Sequence, residues 1–490
     1  MREWRERDQL LRDRRTTQLK ILTDTRGRAD AAIEHEQAAR QAAEQAADAA
    51  KASAARRAAD ERRIEHASAA WEDSFPDDWH ERTDEERELS APWSDEEWLR
   101  ARTRLFLAAL DLHRAFITGA ARTIRINLLQ LAAKLAGERD APPPDAELAA
   151  WQTLFLLVPV ISTTFSSCGR LFGALGRESL GWLLVDEAGQ AAPQAPVGAL
   201  WRARRAVLVG DPLQLEPVVA LPEAVQELLQ ECYGIEPEWL PSRTSAQSAA
   251  DRVNRLGTSV RRRRKDGELE SVWVGAPLRV HRRCERPMFD ISNAIAYDGL
   301  MVHGTRYKQF PDESQKYPPS SWVDVVSTDT EGKWVPAEGA AVAMMLDKLH
   351  HRYGVELDRI RVLSPFRDVV KGCKDAIRAL GWASSPPPGV KDYDKQVSDF
   401  IKANIGTVHT MQGKESDVVI LVLGTRPERN RGARDWASET SNLLNVAVSR
   451  AKRRLFVVGN HAVWSQNRYF GTLAAELPRH SWPPNKDANL

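Results

Sequence analysis

The chain has 490 residues, 42% of them apolar, which suits two or three domains with packed cores. Its 69 basic and 68 acidic residues nearly cancel, which excludes a global electrostatic pull towards nucleic acid or membrane and confines any polyanion site to a local patch. The four cysteines, Cys168, Cys232, Cys284 and Cys373, show no CxxC spacing, which argues against a zinc site or a disulfide framework and points to a reducing cytoplasm.

The N-terminus, MREWRERDQLLRDRR, is charged where a signal peptide is apolar, and no run approaches the roughly 18 to 20 apolar residues of a membrane span. Membrane insertion is not expected. From Leu10 to about Ala70, Ala, Arg, Glu and Gln dominate, with almost no Gly or Pro after Gly27, so one or two long helices are predicted over an arm at 1–72. Large apolar residues are scarce between Ile33 and Ile64, which favours a solvated, projecting arm over a dimeric coiled coil. A second helical block, an insertion or stalk, is expected at 73–150. There Leu105, Phe106, Leu110, Leu112, Phe116 and Ile117 cluster at helical spacing and call for a surface to pack on. The PPP at 142–144 closes that block.

Beyond Trp151, short β-branched or leucine-rich runs alternate with polar helical stretches, the pattern of a parallel α/β sheet. Candidate strands are 154–161, 182–187 and 205–211, then 322–326, 360–364, 405–409, 418–423 and 454–459. The predicted organisation is a first sheet domain at 151–275, a second at 276–475 and a tail at 476–490. The basic stretch at 261–265 reads as a solvated loop as readily as a phosphate contact.

In GWLLVDEAGQA an apolar strand ends in Asp186 and Glu187, and in RAVLVGDPLQLEPVV a second ends in Gly210 and Asp211, followed by Gln214. At the carboxyl end of a parallel strand, side chains reach the crevice where ligands bind, so one carboxylate can hold magnesium while its neighbour polarises water.

Together VDEAGQ and GDPLQLEP resemble motifs II and III of superfamily 1B helicases, the group of the nonsense-mediated-decay helicase. ISTTFSSCG resembles the segment that lines the nucleic-acid path in that group, with Ser162, Thr163 and Thr164 as its hydroxyls, although a Ser/Thr-rich turn reads equally well there. VLSPFRDVV resembles motif IV, GTVHTMQGKESDVVIL motif V and LLNVAVSRAKRRLFVVG motif VI.

The resemblance spans about Trp151 to Asn460 and implies two tandem RecA-like parallel-sheet domains, the first incomplete, working with ATP and Mg2+. It places the metal on Asp186, catalysis on Asp186, Glu187, Gln214, Arg283 and Arg450, and nucleotide contacts on Asp211, Gln412, Gly413 and Glu415. Arg283 follows Arg282, where the family more often has an aromatic residue, which leaves open which arginine points inward.

A complete enzyme of this type also needs GxxxxGK followed by Ser or Thr to cradle the phosphates. The Gly-Lys pairs at 332–333 and 413–414 are followed by Trp334 and Glu415, so neither serves. The expected function is an ATP-dependent helicase or translocase acting on single-stranded or duplex nucleic acid, its phosphate loop supplied by an upstream segment or a separate upstream polypeptide. The alternative is a nucleic-acid-binding or scaffold module without hydrolysis of its own.

Overall fold

The computed structural model describes residues 2–70, 78–79, 81–91, 94, 96–138, 143–263, 268–305, 318–382 and 392–483. Contacts divide the chain into two units, Met1–Leu105 and Phe106–Leu490. The first is dominated by α1 (Arg2–Ala70), a single 69-residue helix whose described side chains are exposed along almost all of its length. With no apolar stripe to bury, it is supported by helix-forming composition and by exposed pairs such as Glu36–Arg40 at 3.2 Å. A short α2 (Asp84–Leu89) starts on a reciprocal capping box between Thr83 and Glu86.

Helix α3 (Glu96–Gly119) is followed by α4 (Ala121–Leu135), α5 (Pro144–Leu157) and α6 (Phe165–Leu171). The apolar residues expected to pack in the second block behave otherwise: Leu105, Phe106, Leu110, Leu112 and Phe116 are exposed, because among the described residues no element faces their stripe. Instead the block buries Leu131, Ala150 and Trp151, with the Trp151 ring 5.1 Å from Phe172. The proline run at 142–144 lies partly outside the described residues.

A strand was expected at 154–161, but α5 continues to Leu157 and the backbone beyond it joins no sheet. Short apolar runs do not separate a buried helix from a strand, and here the helical Phe155 lies 6.0 Å from Trp151 and 6.3 Å from Phe172 in one aromatic cluster. Pro159 then stops the helix.

Next come β1 (Leu180–Val185), α7 (Val197–Arg202), β2 (Ala203–Leu208), α8 (Glu223–Tyr233) and α9 (Ala246–Val253). Strands β1 and β2 form a two-stranded parallel sheet, with Val185 opposite Leu208. Trp182, Leu184, Val207 and Val209 are exposed. Parallel strands are ordinarily buried on both faces, but among the described residues this small sheet leaves apolar side chains open.

An antiparallel hairpin of β3 (Gly257–Arg263) and β4 (Leu269–Gly275) occupies the basic stretch read as a loop. Arg261 belongs to it and pairs with Asp298 at 2.6 Å, while residues 264–267 lie outside the described residues.

The second domain runs through β5 (Val280–His281), α10 (Met288–Ala296), β6 (Val302–His303), β7 (Ser321–Val325), α11 (Pro336–Asp347), β8 (Ile360–Ser364), α12 (Arg367–Arg378), α13 (Tyr393–Ala403) and β9 (Ile405–Thr407). It continues with β10 (Ser416–Val422), α14 (Arg431–Ala437), α15 (Asn442–Ser449), β11 (Ala451–Gly459), α16 (His461–Trp464), α17 (Phe470–Glu476) and β12 (Arg479–Trp482). Its six-stranded sheet is parallel throughout, in the order β12-β7-β11-β10-β8-β9. The continuous apolar runs of β10 and β11 explain their central place, since helices cover both faces.

Strand β12 lies where a tail was expected. It is held to β7 by Arg479, which donates to buried Asp324 at 2.6 Å; residues 484–490 are outside the described residues. Among the described residues no helix is long and apolar enough to cross a membrane.

Candidate functional site

At the end of β1, Asp186 is exposed and its Oδ1 accepts the Glu187 N–H at 3.0 Å. Glu187 sits in the left-handed region at φ 54°, a conformation costing about 1–3 kcal/mol for such a residue, and such strain collects at functional sites. Its carboxylate accepts from Gln190 at 2.9 Å. The ends of β1 and β2 are drawn together at Gly210, where a Cβ would lie 2.7 Å from the Gly189 nitrogen, so no larger residue fits. Beyond it Asp211 receives the Leu213 N–H at 2.9 Å and the Gln214 amide at 3.0 Å.

The second domain contributes guanidinium groups. Arg283 meets Glu415 at 2.6 Å, and Lys452 meets the other oxygen of the same carboxylate at 2.6 Å. Burial alone would raise the Glu415 pKa, but the Lys452 hydrogen bond and the Arg283 charge outweigh it and hold the carboxyl below its ordinary value. Arg283 is the arginine turned inward to this pair; Arg282 is exposed on the same wall.

Arg450 is 2% exposed where α15 meets β11, and its Nε donates to the Val446 carbonyl at 3.2 Å. Burial first, and then the like charge of Arg283, push its pKa down, while Glu187 and Glu415 favour the charged form. Glu187 of the first sheet domain is thus within electrostatic reach of a guanidinium of the second. Burial is the main cause that pushes His281 down to about 4, so this ring is neutral at pH 7; its Nε2 accepts the Cys284 N–H.

The two domains are joined through the loop after β2. Leu213 is buried in the core of the second domain, Asn445 donates to its carbonyl at 3.1 Å, and Asn442 donates to the Gln214 carbonyl at 2.5 Å. The Tyr297 hydroxyl donates to Asp211 and accepts from Asn445 at 3.0 Å. Asp211, Gln214, Arg283, Glu415 and Lys452 line one cleft of about 600 Å³.

Of the other expected residues, Asp186 stands at the strand end without lining that cleft. Gln412 and Gly413 lie one turn before Glu415. Both amide atoms of Gln412 are buried without a partner, and Gly413 takes φ +76°. Ser162, Thr163 and Thr164 are exposed and away from the cleft, and Thr164 caps α6 by accepting the Ser167 N–H at 3.3 Å. Sequence reasoning missed Tyr297, Asn442, Asn445 and Lys452. The signal lay in α15, where two asparagines three apart interrupt an otherwise apolar buried helix and so require polar partners.

Two family models, each described as an AAA domain, match residues 6–221 and 270–462. A DNA replication ATP-dependent helicase/nuclease of Arabidopsis thaliana is 24% identical over 58% of this chain and 19% of its own length. The human RNA helicase Mov10l1 is 24% identical over 75% of this chain and 29% of its own. A solved complex of Arterivirus nonstructural protein 10 (helicase) with DNA aligns at a TM-score of 0.26 and 16% identity, covering 58% of this chain and 41% of that one. The chain spans 15% to 29% of the length of the curated relatives it matches.

Proposed function

We propose that the chain, which resembles the superfamily 1B helicases, is part of an ATP-driven motor on nucleic acid, hydrolysing ATP between its two α/β domains. The observation that carries this reading is that Asp211 and Gln214 from the end of the small sheet and Arg283, Glu415 and Lys452 from the second domain share one cleft.

Such a cleft suits a magnesium triphosphate. A magnesium ion is ordinarily held by one or two carboxylates together with phosphate oxygens, and exposed Asp186 offers the required group. When bound, the ion neutralises charge developing on the phosphate oxygens. In this reading Asp186 holds it, and Glu187 takes the proton of the attacking water. Gln214 reports the phosphate to the loop that grips α15. Arg283 and Arg450 stabilise the transferring phosphoryl group. Arg283 must first leave Glu415, so the ion pair acts as a resting catch. The partnerless Gln412 amide supports a ligand contact at the Gln412–Gly413 turn.

The phosphate cradle is assigned to a segment bearing GxxxxGK followed by Ser or Thr that adds to the open two-stranded sheet, either upstream in the same protein or on a second polypeptide. Relatives named for DNA and for RNA leave the strand chemistry general, and Ser162, Thr163 and Thr164 are proposed contacts on its path. The alternative, a binding module without hydrolysis, draws on the missing loop. Strand-stimulated ATP hydrolysis by the protein with its loop-bearing segment separates the two: turnover abolished by Asp186→Asn supports the motor, and strand binding without Asp186-dependent turnover supports the module.

A further inference from the structure

Helix α3 runs for 24 residues, none of them buried. Trp98, Leu105 and Leu112 recur along it at every seventh position and are 52%, 72% and 73% exposed. Ala101, Ala108 and Ala115 stand between and after them, each three residues beyond a large one, so a single stripe of the helix alternates large and small side chains. Apolar residues at the first and fourth places of a seven-residue repeat are what one helix uses to pack along another.

Size and charge decide what that other helix is. A packed seam sets large side chains against small ones across the pair. Laid parallel to a copy of itself, α3 would set leucine against leucine and alanine against alanine, so that crowded layers alternate with gaps. Laid antiparallel, with the two-fold axis between Phe106 and Leu107, it sets Leu105 against the partner's Ala108, Leu112 against the partner's Ala101 and Trp98 against the partner's Ala115. The same register brings Arg104 opposite the partner's Asp111, and two-fold symmetry repeats the pair with the roles exchanged. Beside the seam Glu97 meets the partner's Thr118 and Arg102 the partner's Ala109, so no like charges face each other there. Within its own chain Asp111 has only a loose printed contact, 3.7 Å to exposed Arg114, which leaves its carboxylate open to solvent.

We infer that α3 is a self-association surface, through which two copies of this chain pair antiparallel in this register. None of its residues lines the cleft, and the inference does not rest on the motor reading. Leu110 is also exposed, but it lies on the side of α3 away from the seam and serves as a control.

The test is sedimentation velocity of the full chain over a concentration series. The wild type should pass from monomer to dimer, Leu105→Lys should stay monomeric over the same series, and Leu110→Lys should pair like the wild type. Arg104→Asp and Asp111→Arg should each raise the dimer Kd about 2- to 30-fold, the worth of two exposed ion pairs, and the double variant R104D/D111R should restore it. These side chains are exposed in the single chain, so thermal unfolding of every variant at monomeric concentration should match the wild type. A wild type that is monomeric throughout overturns the pair and leaves α3 to a different chain. A dimer that survives Leu105→Lys, a Leu110→Lys loss equal to that of Leu105→Lys, or a double charge reversal without recovery overturns it as well.

Discussion

In the proposed motor, Arg450 is a single side chain on which much of the chemistry would rest. It is buried, with its Nε held by the Val446 carbonyl, so replacing it removes a fixed guanidinium rather than a surface one. Arg450→Ala should lower strand-stimulated kcat by about 10³- to 10⁵-fold, the contribution of an arginine to phosphoryl transfer, and Arg450→Lys should not restore it, since an ammonium lacks the planar fork. Steady-state turnover beside a thermal unfolding control checks both.

Glu338 gives a pH signature. Burial raises its pKa to about 8 although the Gly424 N–H, donating at 2.8 Å, pulls the other way. The folded value exceeds the ordinary 4.5, so the unfolded chain releases its proton first, and this group erodes native stability as pH rises from about 4.5 to about 8. Glu338→Gln should therefore unfold at a higher temperature than wild type at pH 8 and at a similar one at pH 4.5, as followed by Tm across that range. The placing of Asp186 and Arg450 at strand ends was legible because each adjoins an apolar run. Tyr297 was not, because a tyrosine after an ordinary helix carries no local sign of a carboxylate 86 positions away.

At the scale of elements, α10, α15 and the loop after β2 form a polar joint, with Tyr297 between Asp211 and Asn445. Tyr297→Phe leaves that carboxylate one donor short in a buried place, so the unfolding free energy should fall by about 1–3 kcal/mol. Strand stimulation of ATP turnover should weaken with it. Denaturant titration and paired assays with and without strand check this; unchanged stimulation would show that the joint only holds the loop.

The elements themselves were unevenly legible. Strands β7, β8, β10 and β11 announced themselves as short runs rich in β-branched and other apolar residues. The run at 154–161 was misread because its phenylalanine satisfies a helix–helix cluster, and the hairpin β3–β4 was missed because its arginines hid an alternating strand. Strand β12 has only four residues and is fixed by a distant aspartate.

At the scale of the whole molecule, the two parallel sheets at the proposed site are unequal. One is six-stranded and closed over by helices; the other has two strands and exposed Trp182, Leu184 and Val207. Hydrogen exchange should accordingly run faster in β1 and β2 than in β10 and β11. Equal protection in the two sheets would contradict this difference in burial.

The central claim is that carboxylates of the small sheet and guanidinium groups of the large one serve a single triphosphate. The most direct measurement is strand-stimulated turnover of Asp186→Asn, Arg450→Ala and the double variant in the protein carrying its phosphate loop. Residues acting as one unit are non-additive, so the account predicts a double variant no slower than the worse single one. Losses that multiply, or a single variant turning over like wild type, would contradict it.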